Sequence, residues 1–232
     1  MNLTDNKVPL GQAIARKLQD MIRSGELKPG EKIASQRVLS EQLKVSRPSL
    51  REALLTLETL GLVRTLPARG TFVVDPEDEQ GTPRTWRYGD TYEIRDVFQS
   101  RILIEGELCR LTAGTLDAAT LDALESANQA FEDAWNNGDL MAHVESDLRF
   151  HRIIAEACGN LMLKRLYQSV QDLLSESQRQ PIPHTEPARM AQSIAEHRAI
   201  LDGLRQGDAE KACQAMRAHI NNTAICAGVE LS

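Results

Sequence analysis

The sequence predicts a mainly α protein in two parts: a small three-helix unit carrying a β-hairpin, then a larger all-α bundle. Three observations predict it. Apolar residues recur at helical spacing over most of the 232-residue chain. Two short β-branched runs, at 62–65 and 71–74, flank a tip that contains Gly70. An acidic stretch with Pro76, Gly81, Pro83 and Gly89 separates two regions that could each bury a core.

The elements follow in order. Leu10 to Ser24 is amphipathic, with Ile14, Leu18, Met21 and Ile22 at helical spacing. Lys28-Pro29-Gly30-Glu31 is a turn. A second helix runs from Ser35, its N-cap, to Leu43. After the break Lys44-Val45-Ser46, Ser46 caps a third helix whose first turn suits Pro48, because the missing N–H costs nothing there. Leu50, Leu54, Leu57 and Leu60 point inward and Gly61 ends the helix. The hairpin Leu62–Val74 completes a winged helix-turn-helix over residues 1–74. Residues 75–90 read as a linker, and 91–232 as the helical bundle. Its helices are expected at 91–112, 117–137, 139–158, 160–179, 186–206 and 208–228.

Net charge is −6, which taken alone disfavours nucleic acid. Its distribution reverses that reading. Residues 1–74 hold 12 Lys and Arg against 7 Asp and Glu, and the rest hold 15 against 26. A basic head on an acidic body points to a nucleic-acid-binding head. Aromatics at 4% exclude a base-stacking single-strand binder. No apolar run approaches the ~20 residues of a membrane span, so no membrane partner is expected. The first ten residues lack the apolar core of a secretory signal, and a cytoplasmic location is the expectation. Cys109, Cys158, Cys213 and Cys226 show no CxxC spacing and read as reduced, buried thiols.

The third helix begins Ser46-Arg47-Pro48-Ser49-Leu50-Arg51. A recognition helix enters the major groove by that end, and an Arg fork matches guanine O6 and N7 together. Arg47 and Arg51 are i,i+4 neighbours, so both can face the groove while Leu50 and Leu54 face the core. Ser46 and Ser49 sit at the same end, where a phosphate is also favoured. Arg37 is placed to clamp the DNA backbone or a base edge. Arg69 and Gly70 form the wing tip, and Gly70 lets backbone approach DNA closely.

In the bundle, Asp147 and His151 are i,i+4, and His197 and His219 stand on two other helices. Their neighbours at helical spacing are apolar, which turns these groups inward. One carboxylate and three imidazoles suit a borderline divalent ion such as zinc or nickel, with positions open for water or ligand. Hydrogen-bonded core histidines are the other reading. His143 and His184 fit no such pattern and read as surface residues. Arg101 also points into an apolar face and needs an anion there. Glu105 at i+4 is one partner; the carboxylate of a small ligand is the other.

Residues 10–74 resemble the GntR family of bacterial regulators. Leu27-Lys28-Pro29-Gly30-Glu31-Lys32-Ile33 with Ser35-Gln36-Arg37, then Val45 to Leu54, then Gly61-Leu62 and Arg69-Gly70-Thr71-Phe72-Val73, carry the likeness. Ala34 and Gln36 depart from the usual Pro and Glu, and Gln36 removes a negative charge near Arg37. Residues 92–228 resemble the FCD effector domain of the FadR-type subfamily, through Arg101-x-x-x-Glu105, Asp147-x-x-x-His151, Glu196-His197 and Met216-x-x-His219.

The resemblance implies metal ligation by Asp147, His151, His197 and His219, with zinc expected and nickel or manganese as alternatives. It implies that Arg101 holds an organic-acid effector, and that a homodimer binds an inverted-repeat operator with GT and AC arms. The function expected is thus a ligand-responsive transcriptional regulator, a repressor rather than an enzyme. Two rivals stand beside it. One is a metal-dependent enzyme of small organic acids fused to a DNA-binding head, with Glu105 or Glu145 as general base. The other is a non-switching DNA-binding protein, which leaves Arg101 and the histidines unexplained.

Overall fold

Leu18, Leu50, Leu57 and Val63 are completely buried, and they explain why the first unit closes on itself. The structure, a computed structural model, describes residues 10–75 and 86–231. These fall into two units, Met1–Thr85 and Trp86–Ser232.

In the first unit, α1 (Leu10–Arg23) packs on α3 (Arg47–Thr59), with α2 (Gln36–Leu43) beside it. Ser35 and Ser46 both cap as expected, their hydroxyls accepting from Val38 and Ser49 N–H. The chain leaves α2 through Lys44 in the left-handed region, at φ 55°. β1 (Val63–Leu66) and β2 (Gly70–Val73) pair antiparallel, Val63 opposite Val73. One feature was not legible in the sequence. Residues 30–33 add to the outer edge of β2, with Ile33 N–H donating to Thr71 O and Val73 N–H to Glu31 O, both at 2.9 Å. The turn at Lys28-Pro29-Gly30-Glu31 delivers that segment to the edge.

The second unit begins at Trp86, whose indole N–H donates to Tyr92 O at 2.6 Å and whose ring packs on the body's core. Residues 86–90, read as the end of the linker, therefore lie within this unit; 76–85 lie outside the described residues. The helices are α4 (Ile94–Thr112), α5 (Ala118–Asn136), α6 (Leu140–Ala157), α7 (Leu161–Ser169), α8 (Gln171–Arg179), α9 (Pro187–Gln206) and α10 (Ala209–Cys226). Among the described residues none is long and apolar enough to cross a membrane.

The single helix expected over 160–179 is two. It divides at Val170, with φ −113° and ψ 9°. No Gly or Pro marks the place, so the sequence offered no breaker. The division serves two different faces: α7 leaves Leu161 and Met162 69% and 66% exposed, while α8 turns Leu174, Ser177 and Gln178 inward.

The larger core of this unit is built on Phe98, Leu108, Leu124, Phe150, Ile154, Ile200, Leu204, Met216 and Ile220, and a smaller one on Phe131, Met190 and Ile194. Cys109, Cys158 and Cys213 are free and buried in this unit, and Cys226 is half-buried. α9 and α10 come close at Gly203, where a Cβ would stand 2.7 Å from Ala212 N. Helix backbone has no way to yield there. Gly203→Ala is expected to destabilise the body by about 1–3 kcal/mol, the usual cost of overpacking, despite alanine's better helix propensity. Urea unfolding followed by circular dichroism measures it; an unchanged midpoint would show that the helices part freely.

Candidate functional site

The bundle's core is interrupted by charge. Arg101, His151 and His197 are at most 2% exposed, and His219 4%. α6 supplies Asp147 and His151 one turn apart, α9 supplies His197, and α10 supplies His219. One ligating atom from each of the four lies within 4.8 Å of the others. All four sequence-predicted residues thus come together, across helices far apart in the chain.

Each imidazole is oriented by a second group. His151 Nδ1–H donates to Glu105 Oε2. His197 Nδ1–H donates to Asn128 Oδ1 at 3.2 Å, and His219 Nδ1–H to Glu196 Oε2 at 2.9 Å. Oxygen acceptors place the proton on Nδ1, which turns each Nε2 inward. His197 Nε2 stands 3.3 Å from Asp147 Oδ1 and 3.3 Å from His219 Nε2. His151 Nε2 is 3.6 Å from the same carboxylate oxygen and is buried with no hydrogen-bond partner among the described residues. Asp147 Oδ2 is occupied by Gln178 Nε2 at 2.9 Å.

This donor set fits a divalent cation. Facing Nε2 lone pairs repel one another unless positive charge lies between them, and the outer oxygens supply the orienting shell that metal-bound histidines usually have. Burial outweighs neighbouring carboxylates at His197 and His219, lowering the latter to about 4, so both stay neutral. At His151 burial is outweighed by Glu105 and Asp147, which raise it to about 9. There a cation would compete with a proton.

Arg101 resolves into parts. Nε donates to Glu105 Oε1 at 2.7 Å, so the nearby partner considered from the sequence is real. Nη1 reaches Ser177 Oγ at 3.4 Å. Nη2 is buried without a hydrogen-bond partner among the described residues. Arg101 lines a cavity with Asp147, Gln178, His219 and Thr223, roofed by Pro181, Ile182 and Thr185. Its volume is about 30 Å³, room for a water or two. A larger occupant requires the 181–185 segment to yield.

Glu105 is one of the two candidates for the general base that the enzyme reading requires. Its burial opposes the charge, but Arg101 and His151 outweigh it and hold the pKa at about 2. A carboxylate engaged on both oxygens and ionised so firmly is a poor base near neutrality. His143 corrects another expectation. It is 1% exposed, not a surface residue, and its ring stacks on Phe131 with centroids 4.0 Å apart. The signal was present, since His143, Asp147 and His151 are successive i,i+4 positions. The contacts of Glu105, Asn128, Glu196 and Gln178 with the four-residue cluster had no such signal.

In the head, Arg47 and Arg51 are exposed at the start of α3 and make no ion pair among the described residues. Ser46 and Ser49 join by their hydroxyls at 2.8 Å. Arg37 pairs with Glu41 at 3.1 Å; both are over 60% exposed, so that pair opens at little cost. At the wing tip, Arg69 lies over the Phe72 ring at 5.9 Å, and Gly70 takes φ 109°, a value that excludes side chains.

A winged helix-turn-helix with a bare basic helix, followed by a helical body with a buried polar site, defines a DNA-binding regulator with a sensing domain. Residues 10–73 match the bacterial regulatory proteins of the gntR family, and residues 96–222 the FCD domain. The chain belongs to the gntR family, in its FadR-type branch, whose members are transcriptional regulators rather than enzymes. The HTH-type transcriptional regulator LutR of Bacillus subtilis (strain 168) is 30% identical over 207 residues, covering 87% of this chain and 94% of that protein. The HTH-type transcriptional repressor NanR of Enterobacter sp. (strain 638) is 29% identical over 227 residues, covering 92% and 83%. Among solved structures, E. coli McbR/YncC has a TM-score of 0.53 at 21% identity, covering 94% of this chain and 97% of that one, and speaks for the fold.

Proposed function

We propose that this regulator is a cytoplasmic homodimeric repressor whose operator affinity is set by a small carboxylic acid bound in the FCD cavity beside a divalent metal. One observation carries the reading. Arg101 Nη2, buried without a hydrogen-bond partner among the described residues, belongs to a side chain that lines the same cavity as Asp147 and His219 of the four-residue cluster. An anion answers the guanidinium, and a cation answers the imidazoles. Asp147, His151, His197 and His219 would hold the metal, zinc first, nickel or manganese otherwise. Once bound, it supplies fixed positive charge that favours an acid over a neutral solute. Arg101 orients the carboxylate, and the apolar roof excludes water. Relatives named as repressors favour repression over activation.

Titrating operator affinity with a panel of carboxylic acids, in zinc-supplemented protein, tests this directly. At least one acid should shift operator affinity and raise the melting temperature; a panel without effect on either would count against the reading.

In the head, we assign base and phosphate contact to Arg47, Arg51, Ser46 and Ser49, with Arg37, Arg69 and Gly70 at the flanks. Arg47→Ala and Arg51→Ala are each expected to cost about 1–3 kcal/mol of specific binding, the worth of a bidentate base contact. Gel-shift titration on specific and scrambled duplexes reads this out. Equal losses on both duplexes would reassign these side chains to phosphate.

A further inference from the structure

The cavity that Arg101 lines has a larger neighbour, of about 250 Å³. This outer cavity opens to solvent past Gln192 and Ile225, both exposed. Residues 181–186 stand between the two. Pro181, Ile182 and Thr185 line the inner cavity, His184 and Glu186 the outer one, and Arg189 and Cys226 line both.

The segment is built to move as a piece. Pro181 and Pro183 fix φ and carry no N–H. The N–H groups of His184 and Thr185 bond back within the segment, to Pro181 O at 2.9 Å and Ile182 O at 3.2 Å. Thr185 Oγ1 also donates to Pro181 O at 2.9 Å. Lifting the segment leaves these bonds intact. At its far end, α9 starts after Glu186 with no side-chain cap bond to break. Against α10 it meets Cys226, whose Sγ lies 3.8 Å from Pro181 O, 3.7 Å from His184 O and 3.6 Å from Thr185 Oγ1. One S–H, a weak donor, faces three oxygens and can satisfy one at a time. Ile182, 8% exposed, is the apolar seal.

We propose that residues 181–185 are a lid latched by Cys226, and that solutes pass from the outer cavity to the inner one when it lifts. This rests on the reading that the inner cavity receives a solute, but not on that solute being an acid.

Thiol labelling tests the lid without any acid. Val144, on α6, lines the inner cavity and is 4% exposed. In full-length Val144→Cys protein, methyl methanethiosulfonate, small and uncharged, passes its methylthio group to the introduced thiol and releases methanesulfinate. Peptide mass spectrometry reads the rate at position 144. Ser193→Cys, lining the same cavity from α9, repeats the measurement at a second position. Thr185→Cys, added to either background, puts a thiol in the place of Oγ1, within reach of Cys226 for a disulfide. Diamide, itself reduced to the hydrazine, should form that bond. Labelling inside the cavity should then slow about tenfold or more, since a buried group reacts through local opening. Reduction and desalting should restore it. Cys226→Val removes the donor with little change in volume and should speed labelling about fivefold, the worth of one weak hydrogen bond. Cys226→Ser keeps a donor and should not.

Labelling indifferent to both the disulfide and Cys226→Val would overturn the lid, even with acids binding as proposed above. So would introduced thiols that never react in the native protein, which would mean that the segment does not open. A 185–226 bond that diamide fails to form would contradict the closed geometry and overturn it too. Gated labelling with no acid bound would leave the lid standing while the carboxylate reading fell.

Discussion

Chelating divalent metal should lower the melting temperature of the helical body by about 5–10 °C, relative to protein in zinc at a hundredfold its dissociation constant. The size follows from mass action: such an excess adds about 2.7 kcal/mol to the folded state, and a domain of this length shifts about 2–4 °C per kcal/mol. The sensitivity arises because the ligands lie on three helices, α6, α9 and α10, so holding the ion holds the packing between them. His197→Ala is the sharper experiment. It deletes a completely buried ring stacked 4.4 Å from Phe150, and by analogy with other buried rings costs about 3–5 kcal/mol. That loss alone would prove only packing. The diagnostic is the response to zinc: the variant should neither gain stability from added metal nor carry it through gel filtration. A wild type whose melting ignores both zinc and chelator, with no metal by elemental analysis, would reduce the three histidines to core residues.

Arg101→Lys should weaken acid binding about 10–100-fold and abolish the acid's effect on operator affinity, leaving basal affinity within about twofold. The range is the worth of a hydrogen bond to a charged group. Lysine rather than alanine is the informative choice. Alanine would strand Glu105, 3% exposed, with His151 as its remaining cationic neighbour, and breaking a buried pair in that way costs about 3–5 kcal/mol. Lysine keeps positive charge beside Glu105 and removes the planar fork that reaches the cavity. α4, which carries Arg101, is the first helix after the segment joining the two units, so a shift of α4 is the natural route to the head. The acid can move that equilibrium only by its difference in affinity between the two states. An unaltered acid response in Arg101→Lys would remove Arg101 from the mechanism even with the metal in place.

Much of this site could be read from the sequence because local geometry wrote it there. Asp147 and His151 share a face by spacing alone, and Ile194, Ile200 and Leu201 around His197 announce an inward imidazole. Ser35 and Ser46 declared the helix starts through their chemistry. What escaped depends on tertiary contact. Glu105 meets His151 across 46 residues and Asn128 meets His197 across 69, and no period links such positions. The break at Val170 escaped for another reason: packing imposes it on residues able to continue a helix. His143 reads as a surface residue because what buries it is a tertiary contact, the Phe131 ring and carbonyl supplied by α5.

The chain Arg101–Glu105–His151 also constrains how such a regulator can change over generations. Each member neutralises or orients the next in a buried setting, so exchanging one alone strands a charge, and intermediates pass through poorly folded proteins. Positions 101, 105 and 151 should therefore be inherited as a block. Met190, Ser193 and Thr223 line the same cavity without charge, and each can be replaced singly at modest cost. New effector preferences would accumulate there first, around an electrostatic frame that drift leaves alone.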